Sequence, residues 1–156
     1  MSGGPIIPKA AFVSLLPALR LLRPILSVGE GDRRALSALT CRARPEVVRN
    51  RITARSAVYV AWDARIACRY VGSVHRAGTT AVADRLAEHY RHPREGRARA
   101  QSWALLTVLP LRADATVEPA RSAEGWTARI LSPLDGHAHP GVDIGVDPSA
   151  LWDGAT

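Results

Sequence analysis

Two tyrosines, an arginine and a histidine carry the clearest chemical signal in the sequence. Ten residues separate Tyr59 from Tyr70, and Arg85 and His89 follow with a spacing of four. Phenol and imidazole groups move or orient protons, and a guanidinium holds oxyanions with a rigid fork of N–H donors. Each residue alone has an ordinary explanation as a strand tyrosine, a solvated arginine or a surface histidine. As a group they form a polar cluster that core packing does not require.

A β-hairpin and the helix after it must position these side chains. Strand-prone residues at Ala57–Trp62 and Ala67–Gly72 flank a short polar break, which predicts a hairpin. A helical pattern follows over Thr80–Tyr90, with its apolar residues on one face. Because residues four apart share a side of a helix, the arginine and the histidine are predicted to project together.

This part of the chain resembles a GIY-YIG nuclease domain. Ala57-Val58-Tyr59 stands for the first tripeptide and Tyr70-Val71-Gly72 for the second. Arg85 and His89 match the R-x-x-x-H element of the family's first helix. The first glycine of the family is replaced here by alanine. The resemblance covers about Ala57 to Pro140, and it implies a metal-dependent endonuclease that hydrolyses DNA phosphodiester bonds.

Glu124 is the carboxylate predicted to complete this site. Since Pro119 disfavours helix at the residue before it, the next helix is expected to begin there with Glu118 at its cap. Glu124 falls in a gap of the predicted inward stripe, and a carboxylate facing apolar groups costs on the order of a few kcal/mol unless a cation or donors satisfy it. That stripe is Val117, Ala120, Thr127, Ile130 and Leu131.

The resemblance also assigns a metal to this helix. Glu124 matches the family's metal-binding glutamate, and Leu131-x-Pro133-x-x-Gly136 resembles the L-x-P-x-x-N ending of its helix. The asparagine is missing, and His137 stands near its place. Glu118 is the second choice for the metal, although a helix-capping anion explains it better.

The roles that the resemblance implies are those of a one-metal hydrolase. Glu124 would anchor Mg²⁺ or Mn²⁺, and Arg85 would hold the scissile phosphate. Tyr59 would act as base or orient the water, with Tyr70 in the phosphate or proton network and His89 as a relay. The predicted substrate-binding residues are Gly72, Ser73, Arg76 and His137.

Charge distribution agrees with a polyanionic partner such as DNA. The chain has a net charge of +7 and a pI near 10.6. Residues 1–56 carry ten cations against three anions, whereas residues 113–156 carry two against seven. A crowd of arginines from Arg42 to Arg55 has two explanations: a solvated helix face, or a patch that follows phosphates with a strong dependence on salt.

The predicted fold is α+β, a three-stranded antiparallel sheet flanked by helices, with strands at about 57–62, 67–72 and 103–109. Residues 1–56 are predicted to form a helical basic extension, with short helices over Ala35–Arg44 and Pro45–Arg55, and residues 141–156 an acidic tail. Three prolines and two arginines interrupt the apolar segment Pro5–Val28, which argues against a membrane span. Two cysteines form neither a disulfide framework nor a zinc pattern, so a cytoplasmic protein is expected.

Two other functions remain open at the level of sequence. A catalytically inactive protein of the GIY-YIG fold that binds nucleic acid or acts as a scaffold would explain Ala57 and the missing asparagine. Alternatively, a basic adaptor could bind a protein partner through the apolar helix predicted over Phe12–Leu26.

Overall fold

The computed structural model describes residues 39–91, 99–111 and 117–135. These residues form a four-stranded antiparallel sheet, three α-helices and one 3₁₀ helix. In chain order the elements are β1 (Thr40–Arg42), α1 (Pro45–Arg51), β2 (Ser56–Trp62), β3 (Cys68–His75), α2 (Ala81–Arg91), the 3₁₀ helix (Arg99–Ser102), β4 (Leu105–Pro110) and α3 (Val117–Leu131). The strand order is β1-β4-β2-β3. The α+β class is therefore confirmed, but the predicted count of three strands is wrong.

The additional strand is β1, which lies where a helix was predicted over Ala35–Arg44. It pairs antiparallel with β4, in a register that places Thr40 opposite Thr107. The two threonine hydroxyls are 3.0 Å apart in the core. Intrinsic propensity is a weak guide over so short a segment, and pairing with the free edge of β4 decides its conformation. Residues before Ala57 thus contribute a strand to the same sheet.

Helix α1 follows as predicted, with its proline in the first turn, but it ends at Arg51 rather than Arg55. Pro45 is tolerated there because the first N–H groups of a helix have no partner within the helix. Buried Val48 fixes the helix to the core.

Strands β2 and β3 form the predicted hairpin. At the turn, Asp63 Oδ1 accepts hydrogen bonds from the N–H groups of Arg65 and Ala67 over 2.9 and 3.0 Å. Strand β3 extends three residues beyond its predicted end at Gly72, because His75 pairs with Ser56 at the start of β2. The hairpin is therefore longer than its turn-prone Gly72-Ser73 pair suggested.

Alternation along β2 divides the core into two layers. Ala57, Tyr59 and Ala61 face α1 and α2, whereas Val58 and Val60 point to the other face, on which α3 packs against β2 and β3. All seven residues of β2 are buried. The central strand thus carries one of the predicted catalytic tyrosines into the layer under α2.

The last two elements begin at different residues from those predicted. Strand β4 starts at Leu105, so Trp103 precedes it and follows the 3₁₀ helix. Helix α3 starts at Val117, before Pro119, which still falls in the first turn where proline is accommodated. The side chain of Val117 is 52% exposed, so its predicted inward position is wrong. The buried face of α3 includes Ala120, Ala123, Thr127 and Ala128.

Within the described ranges, no helix is long and apolar enough to cross a membrane. Both cysteines are free thiols. The predicted N-terminal apolar helix, His137 and the acidic tail lie outside those ranges.

Candidate functional site

Tyr59 lies at the centre of the candidate site. Its side chain comes from the central strand β2 and is only 2% exposed. The phenolic oxygen is 2.7 Å from Nε2 of His89, which projects from the last turn of α2. A hydrogen bond this short joins two groups that can exchange a proton.

An aromatic stack surrounds this hydrogen bond. The rings of Tyr59 and Tyr70 are stacked at a centroid distance of 6.1 Å, and Tyr70 stacks on Trp103 at 5.2 Å. His89 meets the edges of Tyr70 and Trp103, with centroids 4.9 and 5.0 Å apart. The stack fixes the orientation of the imidazole. Trp103 was not predicted as a site residue, since its ring reaches the site only through the fold.

Gly72 makes room for the central tyrosine. It lies directly opposite Tyr59 in the β2–β3 register. A Cβ atom at this position would overlap Cζ and the hydroxyl of Tyr59, and it would lie 2.8 Å from Cε1 of Tyr70. A glycine was predicted here to let substrate approach the backbone. The structure gives it a steric function inside the site.

Arg85 belongs to a chain of three charged side chains on the α2 side of the site. Its Nη1 is 2.7 Å from Oε2 of Glu88, one turn further along the helix. Glu88 also receives both terminal nitrogens of Arg76, one of them at 2.9 Å. Glu88 thus neutralises one of two positive charges. The spacing of three between Arg85 and Glu88 was a readable signal, and the sequence analysis missed it.

The two arginines keep the carboxylate of Glu88 ionised. Hydrogen bonding from Arg76, reinforced by Arg85, lowers the pKa of Glu88 to about 2 despite some burial. Burial acts to lower the pKa of Arg85, but the neighbouring Tyr59 and Glu88 raise it by more. The net pKa lies above the usual value, so the guanidinium stays charged.

The Tyr59 phenol, in contrast, is held in its protonated form. Burial is the main reason that its pKa lies well above the usual value, and the adjacent Tyr70 adds to the effect. Arg85 opposes this because its positive charge favours the phenolate. A free phenolate is therefore not the resting state of this site.

Glu124 approaches the cluster from the other face of the sheet. Its Oε1 accepts a hydrogen bond from Ser73 Oγ over 3.2 Å. Strand alternation places Ser73 on the α3 face, opposite Tyr59 and Tyr70. Strand β3 is the outermost strand of the described sheet, and the negative charge of Glu124 is near enough to raise the pKa of Tyr59. The acidic group therefore stands across the outer strand from the phenols, within electrostatic range.

Among the described residues, no group of three or more His, Cys, Asp or Glu side chains is placed to hold a metal ion. Mg²⁺ does not require one, since it binds through one or two carboxylates together with water and substrate phosphates. The hydroxyl of Ser73 orients the carboxylate in the way that an outer hydrogen bond orients a metal ligand. Glu124 is thus an oxygen ligand of the type that Mg²⁺ or Mn²⁺ prefers.

The structure thus brings Tyr59, Tyr70, Arg85 and His89 together on one face of the sheet. Ser73 and Glu124 lie across β3, so Glu124 does not share the face of the phenols, as its prediction as the carboxylate completing that cluster required. Arg76 joins this set only through Glu88. The side chain of Glu118 and the whole of His137 lie outside what the structure describes. Comparison of the chain with models of known families, with curated proteins and with solved structures gave no match.

Proposed function

We propose that this protein is a metal-dependent endonuclease of the GIY-YIG type that hydrolyses phosphodiester bonds in DNA. The observation that carries the proposal is the gathering of Tyr59, Tyr70, Arg85 and His89, from two strands and one helix, around one short hydrogen bond. Contact among an imidazole, a guanidinium and two phenols supports a site for proton transfer and phosphate binding.

Tyr59 and His89 form the route for the proton of the attacking water. Because the phenol stays protonated at rest, Tyr59 cannot begin the reaction as a base. Instead it takes a proton from water while its own proton passes to Nε2 of His89. The water oxygen bonds to phosphorus as the leaving oxygen departs, and the imidazole ends the step positively charged. Arg85 favours transient negative charge on the phenolic oxygen during the transfer.

Arg85 also supplies positive charge for the phosphate. A guanidinium has five N–H donors, so it can contact a carboxylate and a phosphate oxygen at once. Glu88 holds one side of it, which fixes the orientation of the fork before substrate arrives. Arg76 balances the carboxylate, so the three side chains together keep a net charge of +1 beside the phenols.

Glu124 would hold the metal, with Ser73 orienting its carboxylate. The chemistry supplied by Mg²⁺ or Mn²⁺ there would be polarisation of the phosphate and stabilisation of the leaving alkoxide.

Nicking of DNA by the full chain tests the proposal. Supercoiled plasmid and a branched DNA are incubated with Mg²⁺ or Mn²⁺ and wild type, His89→Gln or Glu124→Gln. Loss of an acid–base group costs about 10²-fold or more in rate, and Glu124→Gln removes the carboxylate that would hold the metal. We therefore expect each variant to lose nicking by about 10²-fold or more. Glu46→Gln is the matched control, because Glu46 is an exposed carboxylate on α1. If all four proteins nick equally, this site does not cut DNA.

A non-catalytic nucleic-acid-binding protein is the second candidate function. Two observations favour it: Tyr59 is 2% exposed, and Arg85 is already paired with Glu88. Such a protein would bind DNA with unchanged affinity in chelator and would not nick it with either metal. The same plasmid assay, run beside a binding measurement in chelator, separates the two functions.

A further inference from the structure

A pocket lies beside the aromatic stack. Its volume is about 520 Å³, within the range of sites that hold small ligands. It lies between β1, the end of α2 and the start of β4. Its principal lining residues are Arg42, Arg44, Tyr90, Gln101 and Trp103.

The lining of this pocket is rich in hydrogen-bond donors and positive charge. Arg42 and Arg44 are exposed, and neither forms an ion pair with a carboxylate of the described residues. Among the described residues that line the pocket, none is acidic. The Tyr90 hydroxyl donates to the Ala43 carbonyl over 2.8 Å, so its ring is held in place at the pocket wall. An oxyanion is the ligand class that such a lining favours.

The indole N–H of Trp103, beside the pocket, has no hydrogen-bond partner among the described residues. The side chain of Trp103 is buried. Buried indole N–H groups usually find an acceptor, because leaving one unpaired costs free energy. Because this N–H is buried inside the protein, its cost belongs to the fold beside the pocket and not to a contact with a bound ligand.

The pocket and the candidate active site share this tryptophan as a wall. The ring of Trp103 stacks on Tyr70 at 5.2 Å and meets His89 at 5.0 Å. A ligand in the pocket would therefore be one ring away from the residues that would act on the phosphate. Because the two sites are so close, one DNA strand could occupy both of them.

We propose that this pocket binds one nucleotide of single-stranded DNA, next to the phosphate that is cut. Arg42 and Arg44 would hold the phosphate of the bound nucleotide. The base would lie against the half-buried ring of Tyr90, as bases do on ring platforms of single-strand-binding proteins. The inference rests on the proposed endonuclease function, and it specifies the substrate as DNA with an unpaired segment beside the cut.

Binding of the full chain to a labelled single strand tests this assignment. Fluorescence anisotropy in chelator, where no cleavage occurs, is measured for a short oligonucleotide and for a duplex of the same sequence. The variant Arg42→Gln/Arg44→Gln is compared with Arg49→Gln/Arg51→Gln, which removes equal charge from exposed positions on α1. All four arginines are exposed, so neither variant disturbs the core.

We expect the pocket variant to bind the single strand about tenfold more weakly and the control by less than about threefold, with the salt slope of the pocket variant lower by about 1. The loss on the duplex should be smaller than on the single strand. Equal losses in the two variants, or equal losses on the two DNA forms, overturn the assignment.

Competition with free deoxynucleoside monophosphate and with inorganic phosphate shows whether the pocket binds a DNA strand or a small free ligand. Weak competition by both compounds supports the strand. If the monophosphate binds tightly and the pocket variant loses only that binding, the pocket serves a free nucleotide and the proposal is wrong.

The nicking assay keeps the two proposals apart. A wild type that never nicks, with a pocket variant that still loses single-strand binding, refutes the endonuclease while the nucleotide pocket stands. Wild-type nicking together with unchanged single-strand binding by the pocket variant refutes the pocket alone.

Discussion

Replacement of Gly72 by alanine should disturb the site, because it adds a methyl group against the Tyr59 side chain. The added Cβ would overlap the end of the Tyr59 side chain and lie 2.8 Å from Tyr70. Flexible side-chain ends usually swing away from such a contact. Tyr59 has no room to do so, since it is 2% exposed and its hydroxyl is hydrogen-bonded to His89 over 2.7 Å.

The expected cost follows from three contributions. Overpacking of a core costs about 1–3 kcal/mol. A lost hydrogen bond between Tyr59 and His89 adds about 0.5–1.5 kcal/mol. Alanine is favoured over glycine inside a strand by roughly 0.5–1 kcal/mol, which offsets part of this. The net destabilisation of Gly72→Ala is therefore about 2 kcal/mol, or roughly 4–8 °C in Tm for a chain of this size.

Urea unfolding of four proteins measures this effect: wild type, Gly72→Ala, Tyr59→Phe and the double variant. Tyr59→Phe removes one of the two overlapping atoms, so we expect Gly72→Ala to cost less in that background, about 1 kcal/mol. Gly78→Ala is the contrast, because Gly78 has φ +101° and open space around its Cα. It should lose stability through backbone strain alone and keep the nicking rate of wild type. Additive costs of the Tyr59 and Gly72 changes would refute the steric argument.

Two further predictions concern polar groups away from the phenols. Glu88→Gln should destabilise the protein at neutral pH by about 1 kcal/mol, since partly exposed ion pairs contribute little more. The pKa of Glu88 is depressed to about 2 in the fold, so its contribution is present above the ordinary value near 4.5 and is lost as the pH falls toward 2. Thermal melts of both proteins should therefore converge in acid, and a constant gap would contradict the linkage. Thr107→Val should lower the free energy of unfolding in urea by about 1–3 kcal/mol, because it leaves the indole N–H of Trp62 and the hydroxyl of Thr40 without this buried partner. Thr107→Ser keeps the hydroxyl and should restore most of the lost stability. A valine variant as stable as wild type would refute the assignment.

The sequence predicted the elements whose patterns are local. Alternating strand residues on both sides of Asp63 located the β2–β3 hairpin, and helical periodicity located α2 to within one residue at each end. The placing of Arg85 and His89 on one side of α2 followed directly from helix geometry. Two tyrosines in neighbouring strands were likewise expected to meet, and their rings are stacked.

Contacts between distant segments were beyond such patterns. Nothing local distinguishes Thr40–Arg42 from the start of a helix, because its strand conformation depends on the edge of β4. The contact of Trp103 with Tyr70 needs the 3₁₀ helix to turn the chain back toward the hairpin. Glu124 was assigned to an apolar stripe, whereas the structure gives it Ser73 as a hydrogen-bond donor at the sheet edge. In each case the sequence identifies the residue but does not show which distant residue it contacts.

The short strand β1 has a consequence for how the sheet assembles. Its partner β4 lies more than sixty positions further along, with Thr40 opposite Thr107. Closing so large a loop requires the hairpin and α2 to be in place first, because long-range pairing is favoured only after intervening chain is ordered. We therefore expect β1 to join late during folding and to exchange its amide hydrogens sooner than β2, so that the arginines beside it take up their arrangement last.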